Sequence, residues 1–191
     1  SARRRRSWKA KLLRQRQRQH RTRRLQRRRI PGKRATSRER LEPPPDISVY
    51  DHFGFDSAKV AKLQMFAERA IVRALRLPSA TGPEKSPLEE ACEVEVSLVS
   101  DEKISEVHVE FMGIEGATDV ITFHHGEILV SVDTARLRAG EFEHSDDKEL
   151  ALYIAHGLIH LHGYDDHTPE EAETMRLLQE QVLSECWVDH S

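Results

Sequence analysis

His156 and His160 stand four positions apart in the stretch His156-Gly157-Leu158-Ile159-His160. On a helix, residues at i and i+4 project from one face, so both imidazoles can reach one metal ion. Gly163 follows, and a glycine can take the positive φ that ends a helix and turns the chain back. That reversal returns Asp166 and His167 toward the pair. A carboxylate or an imidazole there completes three ligands and leaves a fourth position open to water, whose pKa such an ion lowers to about 7. The chemistry expected is metal-assisted hydrolysis.

Asp166 lies six residues after His160, the third-ligand place of the H-x-x-x-H-x-x-G-x-x-H pattern of metzincins. The expected ligands are therefore His156, His160 and Asp166. His167 reaches that place only through a one-residue bulge, which a loop tolerates, and stays open as the alternative. Peptide-cleaving zincins carry a glutamate directly after the first histidine as general base. Here that position is Gly157, which can move no proton. A peptidase of that mechanism is disfavoured, and no side chain is assigned as general acid or base; the nucleophile expected is a metal-bound water. His162 is off the helical spacing of the pair and reads as a satisfied structural residue, and Asp165 as a turn residue.

A folded domain has to hold this helix, and the hydrophobic periodicity supplies one. Ile47 to Tyr50 predicts a short strand. Asp56 or Ser57 caps a helix whose apolar set, Val60, Leu63, Phe66, Ala67, Ile71, Ala74 and Leu75, recurs at helical spacing until Pro78. Residues 79–91 predict a loop. Glu93 to Val99 alternates polar and apolar, as a half-buried strand does. Ser100 caps a short helix with Ile104, Val107 and Phe111 on one face. Val120 to Phe123 and Ile128 to Val132 predict strands joined through His124-His125-Gly126, and Asp133 to Arg138 starts another helix. The metal helix is expected from about Glu149 to Leu161, after Asp146 and Asp147. Thr168-Pro169-Glu170-Glu171 has the N-cap threonine, first-turn proline and N3 glutamate of a helix start, and that helix is expected to run to about Cys186. This order predicts an α+β fold, a small mixed sheet packed with helices, with a metzincin-like metal helix.

Charge divides the chain of 191 residues. Residues 1–40 hold 19 Lys or Arg and one acid, a net +18, while residues 41–191 carry −20. A like-charge block this dense buries almost nothing, so residues 1–45 predict a basic, disordered arm and residues 46–187 the folded domain. Such an arm suits RNA or ribosomes, because arginine pairs with phosphate. An organellar leader and a misplaced start are competing readings, since the first methionine is Met65. Cys92 and Cys186 match no zinc-knuckle spacing or disulfide framework, and Cys92 reads as core or strand-edge. No apolar run is long enough to span a bilayer, and the expected setting is cytoplasmic, with no membrane partner.

The segment His156-Gly-Leu-Ile-His-Leu-His-Gly-Tyr-Asp, followed by Thr168-Pro-Glu-Glu-Ala-Glu-Thr-Met, resembles the signature of the YbeY family of endoribonucleases. Upstream, Gly116-Ala-Thr118-Asp119-Val120-Ile-Thr-Phe123 is similar to the family's P-T-D-V-L-S-F segment, and Gly126-Glu127-Ile128 to its G-D-I strand. The resemblance covers residues 47–187 in family order. It implies an α+β fold, one zinc ion per chain, and single-strand-specific cleavage of RNA. It also implies work on ribosomal RNA ends, the 16S rRNA 3′ end among them, and in ribosome quality control, with ribosomal RNA, the ribosome or small-subunit proteins as partners. Two positions depart from the family. Asp166 stands where the triad usually ends in histidine, and Met112 where an arginine usually precedes Gly113, which puts that arginine's contact with the RNA phosphate in doubt.

Thr118 and Asp119 read as strand-entry caps rather than catalysts, and His124 and His125 as partly exposed strand-end residues. Besides the nuclease, two readings remain: a metalloprotease-like hydrolase on the same metal geometry, and a non-catalytic ribosome-assembly factor with a structural metal. The negative domain repels RNA except at a local basic cleft, and the arm offsets this.

Overall fold

The computed structural model describes residues 43–82 and 84–188. The basic arm expected over residues 1–45 therefore lies, up to residue 42, outside the described residues. Four strands and six helices follow in order: β1 (Asp46–Asp51), α1 (Ser57–Ala74), α2 (Pro87–Glu90), β2 (Glu93–Val99), α3 (Asp101–Met112), β3 (Val120–Phe123), β4 (Glu127–Ser131), α4 (Val132–Glu141), α5 (Asp146–Leu161) and α6 (Pro169–Cys186).

The strands form one mixed sheet in the order β1-β2-β4-β3. β1, β2 and β4 run parallel, with Val49 beside Val96 and Val96 beside Ile128. β3 runs antiparallel along the edge, with Ile121 beside Leu129. Short connections allow only antiparallel neighbours, and the His124-His125-Gly126 turn is such a connection. Gly126 has a φ of 98°, and a Cβ there would sit 2.6 Å from the Glu93 carbonyl oxygen, so the turn requires glycine.

α5 is the hub. It packs on α1, α4 and α6 and lies across β3 and β4. Leu150, Ile154, Leu158, Ile159 and Leu161 of this helix are all fully buried. Burying a side chain of this size contributes roughly 1.5–3 kcal/mol, which holds the His156–His160 helix rigidly to the sheet. Gly157 is the point of closest approach: a Cβ there would meet Ile128 Cγ2 of β4 at 2.7 Å. α3 packs against β3 and β4 with Phe111 edge-on to Phe123, at a centroid distance of 5.3 Å. Because Phe123 and Ile128 point to opposite faces, the sheet is covered on both sides at its β3–β4 end.

The α+β class with a small mixed sheet is as expected, and β2 falls on the expected residues. Three details differ, and two open alternatives are decided. The expected loop 79–91 contains α2, which has a complete capping box from Ser86 and Glu89 and a proline in its first turn. α5 begins at Asp146, so Asp146 and Asp147 belong to its first turn, where acids favour the positive helix end. Phe111 is 44% exposed, while Ile104 and Val107 of α3 are buried. Cys92 is exposed at the entry to β2, so it is a strand-edge residue and not core. Asp56 and not Ser57 caps α1, accepting hydrogen bonds from the Ala58 and Lys59 amides.

Candidate metal centre

His156 and His160 sit one turn apart on α5, at the border with α6. Each ring is anchored through Nδ1. His160 Nδ1 donates to the Tyr164 carbonyl oxygen at 3.0 Å, and a carbonyl can only accept, so the proton is on Nδ1. His156 Nδ1 donates to Gln179 Oε1 of α6 at 2.8 Å. Both Nε2 atoms are then bare lone pairs, and they face each other at 2.9 Å. Two lone pairs at that distance repel unless a cation lies between them. Nitrogens sharing one tetrahedral zinc at ordinary bond lengths stand about 3.3 Å apart, so the donor set fits such an ion.

The turn after α5 brings the third group in. Gly163 has a φ of 98°, and Asp166 Oδ2 comes to 3.7 Å from His156 Nε2 and 3.9 Å from His160 Nε2. All three ligand atoms lie within 4.8 Å of one another. Asp166 is exposed while both histidines are partly buried, so the cluster opens to solvent on the carboxylate side. Burial, and then the neighbouring His156, push the His160 imidazole below its ordinary pKa. A metal needs that neutral form.

His167 stands apart from the pair. Its side chain is 82% exposed and its Nε2 lies 3.3 Å from Asp165 Oδ2. Asp165, Asp166 and His167 form a second acidic group, but all three are exposed, and exposed acids cluster commonly without an ion. Asp165 also accepts the Asp166 amide hydrogen bond at 2.9 Å, a turn contact. His162 is sealed, at 1% exposure, and both its ring nitrogens are bonded. Asp119 accepts from Thr118 Oγ1 at 3.0 Å and from the Val120 amide at 2.9 Å, as a strand-entry cap does. His124 is exposed, and His125 Nε2 lies 3.3 Å from Glu127.

Gln179 and Tyr164 are the supporting residues that the motif alone did not reveal. Both act by fixing imidazole tautomers, the usual second layer of a metal site. Gln179 carries no signal in the sequence, since nothing in its spacing ties it to His156. Tyr164 had one, its place directly after the glycine turn, but its contact comes from a main-chain oxygen. Gly157 faces Ile128 and the sheet. A side chain there would enter the core and not the open side of the His156–His160 pair.

The family model for the endoribonuclease YbeY matches residues 58–186 of this chain. The endoribonuclease YbeY of Limosilactobacillus fermentum is 32% identical over 143 residues, covering 64% of this chain and 88% of that protein. The endoribonuclease YbeY of Bacillus subtilis is 33% identical over 119 residues, covering 52% of this chain and 76% of its own length. A solution structure of a Thermotoga maritima protein is 27% identical, with a TM-score of 0.47 over 73% of this chain and 90% of that chain.

Proposed function

The chain belongs to the YbeY endoribonuclease family, and we propose that it hydrolyses single-stranded RNA at a zinc ion held by His156, His160 and Asp166. One observation carries the reading: two imidazoles with committed Nδ1 protons turn bare Nε2 atoms toward each other at 2.9 Å, beside a carboxylate. Bound there, a divalent ion supplies Lewis acidity toward a phosphoryl oxygen and makes water more acidic. The chain's own residues prepare the place. Gln179 and the Tyr164 carbonyl hold the imidazoles in one tautomer, and Asp166 adds a negative charge that offsets part of the ion's charge. Gly157, pressed on Ile128, leaves no room for the glutamate base of a peptidase, which supports RNA over peptide as substrate.

Family membership supports RNA as the substrate; we extend this to ribosomal RNA, with 16S rRNA 3′-end maturation and ribosome quality control as its setting, in the cytoplasm and in contact with the ribosome or small-subunit proteins. No helix among the described residues is long and apolar enough to cross a membrane.

The test uses the full chain. Metal content after purification and after zinc reconstitution is measured beside cleavage of a labelled single-stranded RNA and its duplex. About one zinc per chain is expected, with cleavage of the single strand that chelation removes and zinc restores. His156→Ala should lose zinc and lower cleavage by at least about a hundredfold. Full cleavage by folded His156→Ala would exclude this site as the catalytic one.

A further inference from the structure

The segment that joins α1 to α2 is held against the turn that carries Asp166. Four contacts make the joint. His162 Nε2 donates to the Leu77 carbonyl oxygen at 3.0 Å. With its proton there, His162 Nδ1 accepts from the Ser86 hydroxyl, also at 3.0 Å. The Tyr164 hydroxyl donates to the Pro78 carbonyl oxygen at 2.7 Å. Gly163 lies so close that a Cβ would sit 2.6 Å from Thr81 Cγ2. Ser86 is itself fixed, because it caps α2 and its amide donates to Glu89 at 2.8 Å.

Tyr164 lies at the crossing of two sets of contacts. Its hydroxyl is tied to Pro78, and its carbonyl oxygen accepts the His160 Nδ1 proton. Two residues later comes Asp166, whose own amide is tied, among the described residues, only to Asp165 in the same turn. The carboxylate thus takes its position from the residues before it.

We propose that Tyr164 is a positioning residue for the metal centre: its hydroxyl bond to Pro78, seated on the buried His162–Ser86 joint, holds the 163–166 turn so that His160 and Asp166 face one ion. The proposal rests on the zinc reading of His156, His160 and Asp166. Without the tie the ring still packs on the core, but the turn is free to rotate about Gly163 and the carboxylate leaves the pair for part of the time. The ion then binds more weakly because the site has to be ordered on binding.

Tyr164→Phe in the full chain tests this by removing one oxygen and no packing. Apoprotein is titrated with zinc against a chromophoric chelator, cobalt(II) is substituted to record the ligand-field spectrum, and apo melting is followed separately. About tenfold weaker zinc binding and an altered cobalt spectrum are expected, as for loss of a supporting contact. The apo melting temperature should stay within about 4 °C of wild type. Zinc affinity equal to wild type in Tyr164→Phe, while Asp166→Ala is weakened, overturns the proposal and leaves the metal site standing. A weakening accompanied by an apo melting loss beyond about 10 °C also overturns it, since Tyr164 would then support the fold as a whole. Absence of zinc uptake by the wild type overturns the metal reading and this proposal together.

Discussion

Three histidines fall within seven residues at the end of α5, and two of them are partly buried where the third is sealed. His156 and His160 have side chains 19% and 23% exposed, and each spends one ring nitrogen on an anchor and leaves the other bare. His162 is 1% exposed and spends both nitrogens, one on Leu77 and one on Ser86. Residue type and helix are shared, so the difference lies in what each imidazole leaves unsatisfied. A free, neutral nitrogen at a solvent-facing edge is a ligand in waiting, whereas a fully bonded ring joins two segments of chain.

Exchanging the two roles gives the largest expected effect. His162→Ala strands the Leu77 carbonyl and the Ser86 hydroxyl in the core and opens a cavity, so urea unfolding of the apoprotein should show a loss of about 3 kcal/mol or more. His160→Ala relieves two opposed lone pairs, so apo stability should move by less than about 1 kcal/mol while zinc uptake disappears. Equal losses of apo stability in the two variants would erase the distinction between ligand and joint.

A smaller effect sharpens the same contrast through pH. The His160 pKa is lowered in the folded state, mainly by burial, so the unfolded chain binds the proton more readily. Stability contributed by the neutral ring is present in full above the unfolded value near 6.5 and is lost as pH falls through the lowered folded value. Apo unfolding midpoints should therefore drop from pH 7.5 toward pH 5, and His160→Ala should flatten that part of the profile. Zinc affinity should fall over the same range, because protons and the ion compete for Nε2. A wild-type profile that His160→Ala leaves unchanged would mean that another group governs the acid limb.

Much of this was legible in the residues, and unevenly. The i, i+4 histidines, the terminating Gly163 and the Thr168-Pro169-Glu171 cap are local signals, and local signals survive the passage into three dimensions. β2 was legible from its polar–apolar alternation, although its last four residues, Ser97 among them, are all buried in the sheet. α2 was not, because it has four residues and its signal, Ser86 with Pro87 and Glu89, sits in a stretch otherwise rich in turn residues. The Gln179–His156 and Ser86–His162 bonds join residues 23 and 76 positions apart, and no periodicity encodes a contact at such separation. Gly157 was legible only as a missing base; its close seat on Ile128 depends on the sheet order, which pairs β4 with both β2 and β3.

The smallest expected effect concerns the residue next to Asp166, the proposed third ligand. His167→Ala should leave zinc affinity within about a factor of two of wild type, because it removes only an exposed pair with Asp165. Asp166→Ala, beside it, should weaken zinc at least about tenfold. Competition titrations on the two variants decide between neighbours that the sequence left open. The reverse result would have a definite structural cost. To bring His167 to the pair, the turn must take up one more residue after Gly163, and the Tyr164 carbonyl then moves off His160 Nδ1 or the Tyr164 hydroxyl off Pro78. A dominant His167 therefore predicts that Tyr164→Phe has no effect on zinc, so the third ligand and the anchoring of the turn are tested against each other.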